Sequence, residues 1–315
     1  MKITHTFPET YYNEETRPFV VDRQRKRFWI ALLDLLAEFD RVCRAHNIEY
    51  SIDAGTMLGK VRHNGFIPWD DDIDVIIMRS EYEKLLKVAD KEFKEPYFFQ
   101  TMQSDPEAVR GHPQLRNSSM TAIMKDELKN GKAIYNSFNQ GLFLDVFVLD
   151  GIPDDSDERT AYFSELTFLK GMMIRARNAR RDRIIFGMSP RRVYHFIQTV
   201  WNKLLMLVIK FAVGVDPLAY YSEKFDRACK RYANRETYEV SHISFLTRPP
   251  ANRIMAREKI KGIEDVEFEG LIVKMLRNTD YYLENHYGDW RRYVIGATMH
   301  SGVFFDLDNP YTKYF

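Results

Sequence analysis

Residues 50–75 read YSIDAGTMLGKVRHNGFIPWDDDIDV. Tyr50 to Asp53 is a short strand candidate. Gly55, Gly59 and Gly65 then divide the chain into a turn, a short helix beginning at Thr56 and a loop that Pro68 closes. From Asp72 to Met78 the residues are β-branched and apolar apart from Asp72 and Asp74, the pattern of a buried strand. Residues two apart on a strand face the same way, so these carboxylates stand side by side, roughly 7 Å apart at the backbone. Ile73 and Val75 face the core. Ionised carboxylates against an apolar strand are costly, and a divalent cation removes that cost. Mg²⁺, or Mn²⁺ in its place, suits an all-oxygen site that keeps waters and substrate phosphates as its remaining ligands. The preceding Asp70 and Asp71 read as a solvated loop.

Further along, Gly141 to Leu149 is a second apolar strand candidate, with Asp145 in its middle. A lone carboxylate in such a run needs a partner, either a metal or an arginine. If the two strands are neighbours, Asp72, Asp74 and Asp145 meet. Three carboxylates can hold two cations about 4 Å apart, the geometry used for in-line phosphoryl displacement. Gly55 lets backbone approach a phosphate, and Thr56 offers an N–H and a hydroxyl at the positive end of a helix. Arg62 and His63 lie in the loop before the acidic strand, where a guanidinium fits a phosphate in two-pronged fashion. For these two and for Lys60, an ordinary solvated charge is the competing reading.

Gln24 to Asn47 places Trp29, Leu32, Leu33, Leu36 and Phe39 on one helical stripe. Glu81 to Phe93 reads as a helix with a capping box of Ser80 and Glu83. Asp157 to Tyr232 shows helical periodicity and basic side chains, including Arg175, Arg177, Arg180, Arg181, Arg183, Arg191 and Arg192. Its most apolar part, Val200 to Val215, is interrupted by Lys203 and Lys210. It falls short of an uninterrupted spanning segment and reads as a buried or surface-lying helix. Val240 to Leu246 and Phe268 to Val273 are strand candidates. Thr279 to His286 looks helical, with Gly288 as its stop. The organisation expected is an α/β (α+β) catalytic core over 1–155, a basic helical insertion over 156–235 and a return to the core over 236–315.

Lys plus Arg number 46 and Asp plus Glu 45, a net charge of +1 that argues for no polyanionic partner. No nucleic-acid-binding motif stands out. Two cysteines, Cys43 and Cys229, make neither a zinc site nor a disulfide framework. Residues 1–12 lack the order of a signal peptide, which leads to an expectation of cytoplasmic location. HExxH and GxSxG are absent, which excludes the corresponding zinc and serine hydrolases.

The 50–75 block resembles the signature of the LicD family of phosphocholine transferases, which includes fukutin-related proteins. The resemblance extends to LRNSSMT (Leu115 to Thr121), GLFLDVFVLDGIP (Gly141 to Pro153), FEG from Phe268, and ENHYGDW ending at Trp290. It implies a nucleotidyltransferase-like mixed sheet with flanking helices. In that superfamily a Gly-Gly or Gly-Ser turn precedes the DxD strand; here Gly55-Thr56 departs from it but keeps a hydroxyl. Asp72, Asp74 and Asp145 match the three carboxylates. By superfamily analogy Asp145 also orients or deprotonates the acceptor, and by its place in LRNSSMT Arg116 is a second phosphate clamp.

The resemblance further implies a CDP-choline-like donor, CMP as product and a cell-surface glycan acceptor such as lipopolysaccharide or teichoic acid. A lipid-linked acceptor would bring the protein to the inner face of the cell membrane. Trp69 is the first candidate to face a quaternary ammonium, with Phe66 and Tyr287 behind it. The competing readings are a DxD glycosyltransferase acting on a nucleotide sugar and a non-catalytic nucleotide-binding module.

Overall fold

A computed structural model describes residues 5–7, 10–12, 18–182, 189–294 and 302–315; Arg183 lies outside them. The first long helix, α1, is Arg23–Ala45, and Asp22 caps it by accepting the Arg25 N–H. Its apolar stripe is fully enclosed: Trp29, Leu33, Leu35, Leu36, Phe39 and Val42 have no exposed surface. Burying a side chain of this size contributes about 1.5–3 kcal/mol, so α1 anchors the core against which the sheet lies.

Five strands carry the centre of the molecule. They are β1 (Ser51–Ile52), β2 (Asp74–Met78), β3 (Tyr97–Gln100), β4 (Gln114–Asn117) and β5 (Leu142–Gly151). With β6 (Glu239–Ser241) and β7 (Ile254–Ala256) they form a seven-stranded mixed sheet. The long β5 is its spine. One edge runs parallel to β2, with Asp145 opposite Asp74 and Leu149 opposite Met78. The other edge pairs antiparallel with β4 at its beginning and with β6 at its end. An α/β fold results.

Helix α2 (Ala54–His63) follows β1, and α3 (Arg79–Glu92) follows β2. Residues 156–232 contribute α4 (Ser156–Arg181), α5 (Pro190–Val213) and α6 (Pro217–Cys229), whose shared core includes Tyr162, Leu166, Met173 and Phe225. A hairpin of Ile263–Phe268 and Leu271–Leu276 and a last helix, α7 (Thr279–Tyr287), return to the main core.

Several sequence expectations shift. The acidic strand starts at Asp74, leaving Asp72 in the approach, although the Asp145 N–H donating to the Ile73 carbonyl (3.1 Å) extends the ladder by one residue. Ser80 is not the cap: α3 begins two residues earlier than expected, its N-cap is Met78 and no side chain bonds there. Glu83 instead meets Arg79 and Lys230. Phe268 to Val273 is not one strand but the turn of the hairpin, where Glu269 and Gly270 both have positive φ. The Val240 to Leu246 candidate ends as a strand at Ser241. Both cysteines are buried and unpaired.

The end of β2 is tied to the end of β5 by an enclosed ion pair. Arg79 donates from Nε to Asp150 Oδ1 (2.6 Å) and from Nη2 to Oδ2 (2.8 Å), and the two residues are 4% and 1% exposed. Removing one member leaves the other charge buried and uncompensated. Asp150→Ala is expected to cost about 3–5 kcal/mol in urea unfolding, and the double change Arg79→Met/Asp150→Leu clearly less. Equal losses would show that the pair fastens nothing.

Candidate active site

The site is built where α2 leaves β1. Asp53 caps α2 by accepting the Ala54 N–H (2.7 Å), with Ala54 at a φ of 42°. Tyr282, from α7, donates its hydroxyl to the same Asp53 oxygen. The side chain is enclosed, and burial pushes its carboxyl up to about 6 despite these two bonds. The Asp53 N–H donates to the Asp74 carbonyl (2.8 Å), and the Asp74 N–H donates to Thr56 Oγ1 (3.0 Å). Thr56 therefore holds the acidic strand to α2, while the expectation gave its hydroxyl to a phosphate. Gly55 sits in the first turn of α2, and a Cβ there would lie 2.7 Å from Asp70 Oδ2. Its bareness admits a carboxylate of the protein to the positive end of the helix.

Register then assembles the acids. Opposed residues on neighbouring parallel strands project to one face, so Asp74 and Asp145 share it. Ligand oxygens of Asp70, Asp71 and Asp72 lie within 4.8 Å of one another. Burial, then the charge of Asp72 and then that of Asp145, holds the Asp74 carboxyl well above the usual range. Burial and Asp72 do the same to Asp70. Asp70 is thus part of the cluster and not a solvated loop residue. Its carbonyl is gripped from α1 by Trp29 Nε1 (3.0 Å) and Arg25 Nη1 (2.8 Å).

Asp145 is held from the neighbouring strand. Its Oδ1 accepts from Gln114 Nε2 and lies 3.1 Å from His112 Nε2. Gln114 in turn accepts from Arg116, whose other donors go to Gln100 Oε1 (2.8 Å) and the Gly141 carbonyl (2.6 Å). Arg116 has no exposed surface. The expectation that it clamps a donor phosphate is corrected: all three guanidinium nitrogens go to protein acceptors, and the chain Arg116–Gln114–Asp145 makes it a positioning residue.

Residues 47–126 match the family described as LicD/FKTN/FKRP, nucleotidyltransferase domain. This segment is similar to the nucleotidyltransferase domain of LicD proteins. The chain is also 33% identical over 126 residues to the lipopolysaccharide cholinephosphotransferase LicD of Haemophilus influenzae, an alignment covering 40% of this chain and 44% of that protein. Uncharacterised proteins of Rickettsia typhi and Rickettsia prowazekii are 41% and 39% identical over 66 residues, 19% of this chain in each case and 21% and 25% of theirs. The chain thus spans less than half the length of each of these relatives.

Within the LicD segment the basic residues divide. Lys60 Nζ donates to Asn64 Oδ1 (2.6 Å) and lies 3.9 Å from Glu267, so it is engaged at the far end of α2 from Asp53. Arg62 donates from Nη1 to the carbonyls of Trp290 and Arg292 (3.0 Å each) and lies over the Tyr293 ring. It fastens the segment after α7, where sequence reasoning expected a phosphate clamp. His63 is kept neutral, with burial and then Arg62 lowering it to about 4. It meets Trp69 and Tyr293 edge to face. Phe66 is removed from head-group duty, because it stacks on Trp29 (4.6 Å) inside the core.

Residues outside the LicD segment complete the wall. His242 Nε2 stands 3.9 Å from Asp53 Oδ2, and His286 stacks on Tyr282. Both rings are nine-tenths buried, their Nε2 atoms have no hydrogen-bond partner among the described residues, and burial lowers both to about 3. Arg253 acts electrostatically on Asp53, His242, His286 and Tyr287. Neither histidine carries a local motif; only the ENHYGDW block marked the neighbourhood of His286.

The raised carboxyls set a pH dependence. A group whose pKa is higher in the folded than in the unfolded state stabilises the fold below the unfolded pKa and loses that contribution as pH rises through the folded one. In EDTA, Asp74→Asn should therefore melt higher than wild type, with the gap widening as pH increases. An identical Tm at all pH values would remove the strained cluster. Arg62→Ala should lower stability by about 2 kcal/mol through two lost charge-assisted bonds; unchanged unfolding would mean that the bonds contribute nothing.

Proposed function

We propose that this chain is a metal-dependent phosphotransferase that moves a phosphocholine-type group from a CDP-activated donor to a glycan hydroxyl, releasing CMP. The observation that carries the reading is the parallel register that sets Asp74 beside Asp145, within a LicD-family fold and next to Asp72. The name of the Haemophilus relative supports the choice of head group and of a lipopolysaccharide-type acceptor.

The acids fit a hard cation: they are all-oxygen ligands, those of Asp70, Asp71 and Asp72 lie within 4.8 Å of one another, and burial and then the charge of Asp72 push the carboxyls of Asp70 and Asp74 well up. Asp72, Asp74 and Asp145 would hold Mg²⁺ or Mn²⁺. Bound there, the cations supply charge neutralisation for the donor phosphates. Gln114 and His112 fix the Asp145 carboxylate, so it meets an incoming hydroxyl in one orientation. The acceptor oxygen forms its bond to the choline-bearing phosphorus, the bond from that phosphorus to the bridging oxygen breaks, and CMP leaves with the electron pair. Asp145 takes the hydroxyl proton. The unsatisfied Nε2 atoms of His242 and His286, with Arg253, suit the donor's phosphates, and Trp69 and the exposed Tyr287 are the aromatic faces for the ammonium.

Mass-spectrometric detection of CMP from CDP-choline, CDP-ethanolamine and UDP-sugar controls tests the reading. Asp72→Asn, Asp74→Asn and Asp145→Asn are each expected to reduce CMP release at least about tenfold while keeping the fold, because each removes charge from the cation site. Activity near wild type in the Asp74 variant, or turnover of UDP-sugars alone, defeats the proposal. Trp69→Leu should weaken CDP-choline more than CDP-ethanolamine; equal effects with a lower Tm would assign Trp69 to packing.

A further inference from the structure

The sequence left Val200 to Val215 between a core helix and a surface one. The structure decides against the core, because Met206 is the one buried residue of α5. Leu205 and Ile209 lean on α4 and α6 beside it. A different face carries Tyr194, Ile197, Trp201, Leu204, Val208 and Phe211, spaced alternately by three and four residues, so they form one continuous stripe. All six are exposed, Trp201 at 66% and Phe211 at 81%. Apolar stripes of this extent are uncommon on free surfaces of soluble proteins.

Charge says what covers the stripe. The helix carries Arg191, Arg192, Lys203 and Lys210 and no acidic residue. Arg191, Arg192 and Lys210 are exposed at its two ends, while Lys203 Nζ donates to the Ala179 carbonyl of α4. A second copy is a poor occupant. A twofold axis across this stripe would bring arginines against arginines or against Lys210, with no acid of the helix to meet either. An anionic lipid surface satisfies both features, accepting the stripe into its headgroup–acyl boundary and the flanking cations into its negative potential. Tyr194 and Trp201 are residue types that favour that boundary. By length and composition the helix could also cross a bilayer. Its packing on α4 and α6 through Leu205, Met206 and Ile209 holds it against the protein, in the plane of a surface.

We propose that α5 docks this protein onto an anionic membrane leaflet, with the Tyr194–Phe211 stripe inserted and Arg191, Arg192 and Lys210 on the lipid phosphates. The proposal is independent of the reaction chemistry, since vesicle binding reads no CMP release and either can fail alone.

The full chain is sedimented with vesicles of phosphatidylcholine alone and with about 30% phosphatidylglycerol. Wild type should pellet with the anionic vesicles, and its Trp201 emission should shift to the blue. Trp201→Glu/Phe211→Glu should reduce partitioning at least about tenfold with an unchanged circular dichroism spectrum, both sites being exposed. Arg191→Glu/Arg192→Glu should abolish the preference for anionic over neutral vesicles. Trp201→Phe keeps the stripe and should bind while losing the blue shift, which guards against a folding defect in the charged variant. Wild type remaining in the supernatant, equal binding by Trp201→Glu/Phe211→Glu, or a dimer in solution that this variant dissociates would each overturn the proposal.

Discussion

The parallel pairing of Asp74–Met78 with Asp145–Leu149 is the constraint around which this molecule is arranged. Four apolar residue pairs beyond the first keep Asp74 and Asp145 on one face, where burial and then neighbouring carboxylates hold the Asp74 carboxyl well above the usual range. Everything nearby answers that crowding. Thr56 and Asp53 bond the backbone on either side of Asp74, Gln114 and His112 steady Asp145, and Arg25 and Trp29 hold the Asp70 carbonyl from α1. Buried polar networks of this kind specify one arrangement only when each member is satisfied. Here the members come from several elements that only the fold brings together.

Much of this was legible in the sequence, for a definite reason. A buried strand broadcasts itself through β-branched residues, and an acid placed inside one is conspicuous. Asp74 and Asp145 were therefore readable, as were α1 and the position of Gly288 as the end of α7. Partners that reach the site from other elements were not readable. Gln114 and His112 matter because β4 lies antiparallel to β5, and His242 matters because a turn after β6 folds back onto Asp53. Pairing decisions of that kind leave no local pattern. Basic residues misled for a related reason, since Arg62 and Arg116 look alike as guanidinium groups. One spends itself on backbone carbonyls at the rim and the other is sealed within the sheet.

Glycine and charge also divide differently from the expected pattern. Gly55 was read as making room for a ligand's phosphate, yet it makes room for Asp70, an anion of the protein itself. Basic residues along 175–192 stood out in the sequence as part of one basic helical insertion. In the fold, Arg180 pairs with Glu107 and Asp216, and Arg181 sits over Tyr135 and Phe138, so these two brace α4. Among the described residues of the run, Arg175 on α4 and Arg191 and Arg192 on α5 stay exposed.

The Tyr282 hydroxyl on Asp53 and the grip of Arg62 on Trp290 and Arg292 have a consequence for how the protein is made. Asp53 and Arg62 leave the ribosome more than two hundred residues before their partners. Until then the cap of α2 has no lid and its far end no anchor. Long-range closures of this kind form late, since contacts distant in sequence must wait for the chain between them. A nascent chain would display its acids long before the contacts that frame them could close.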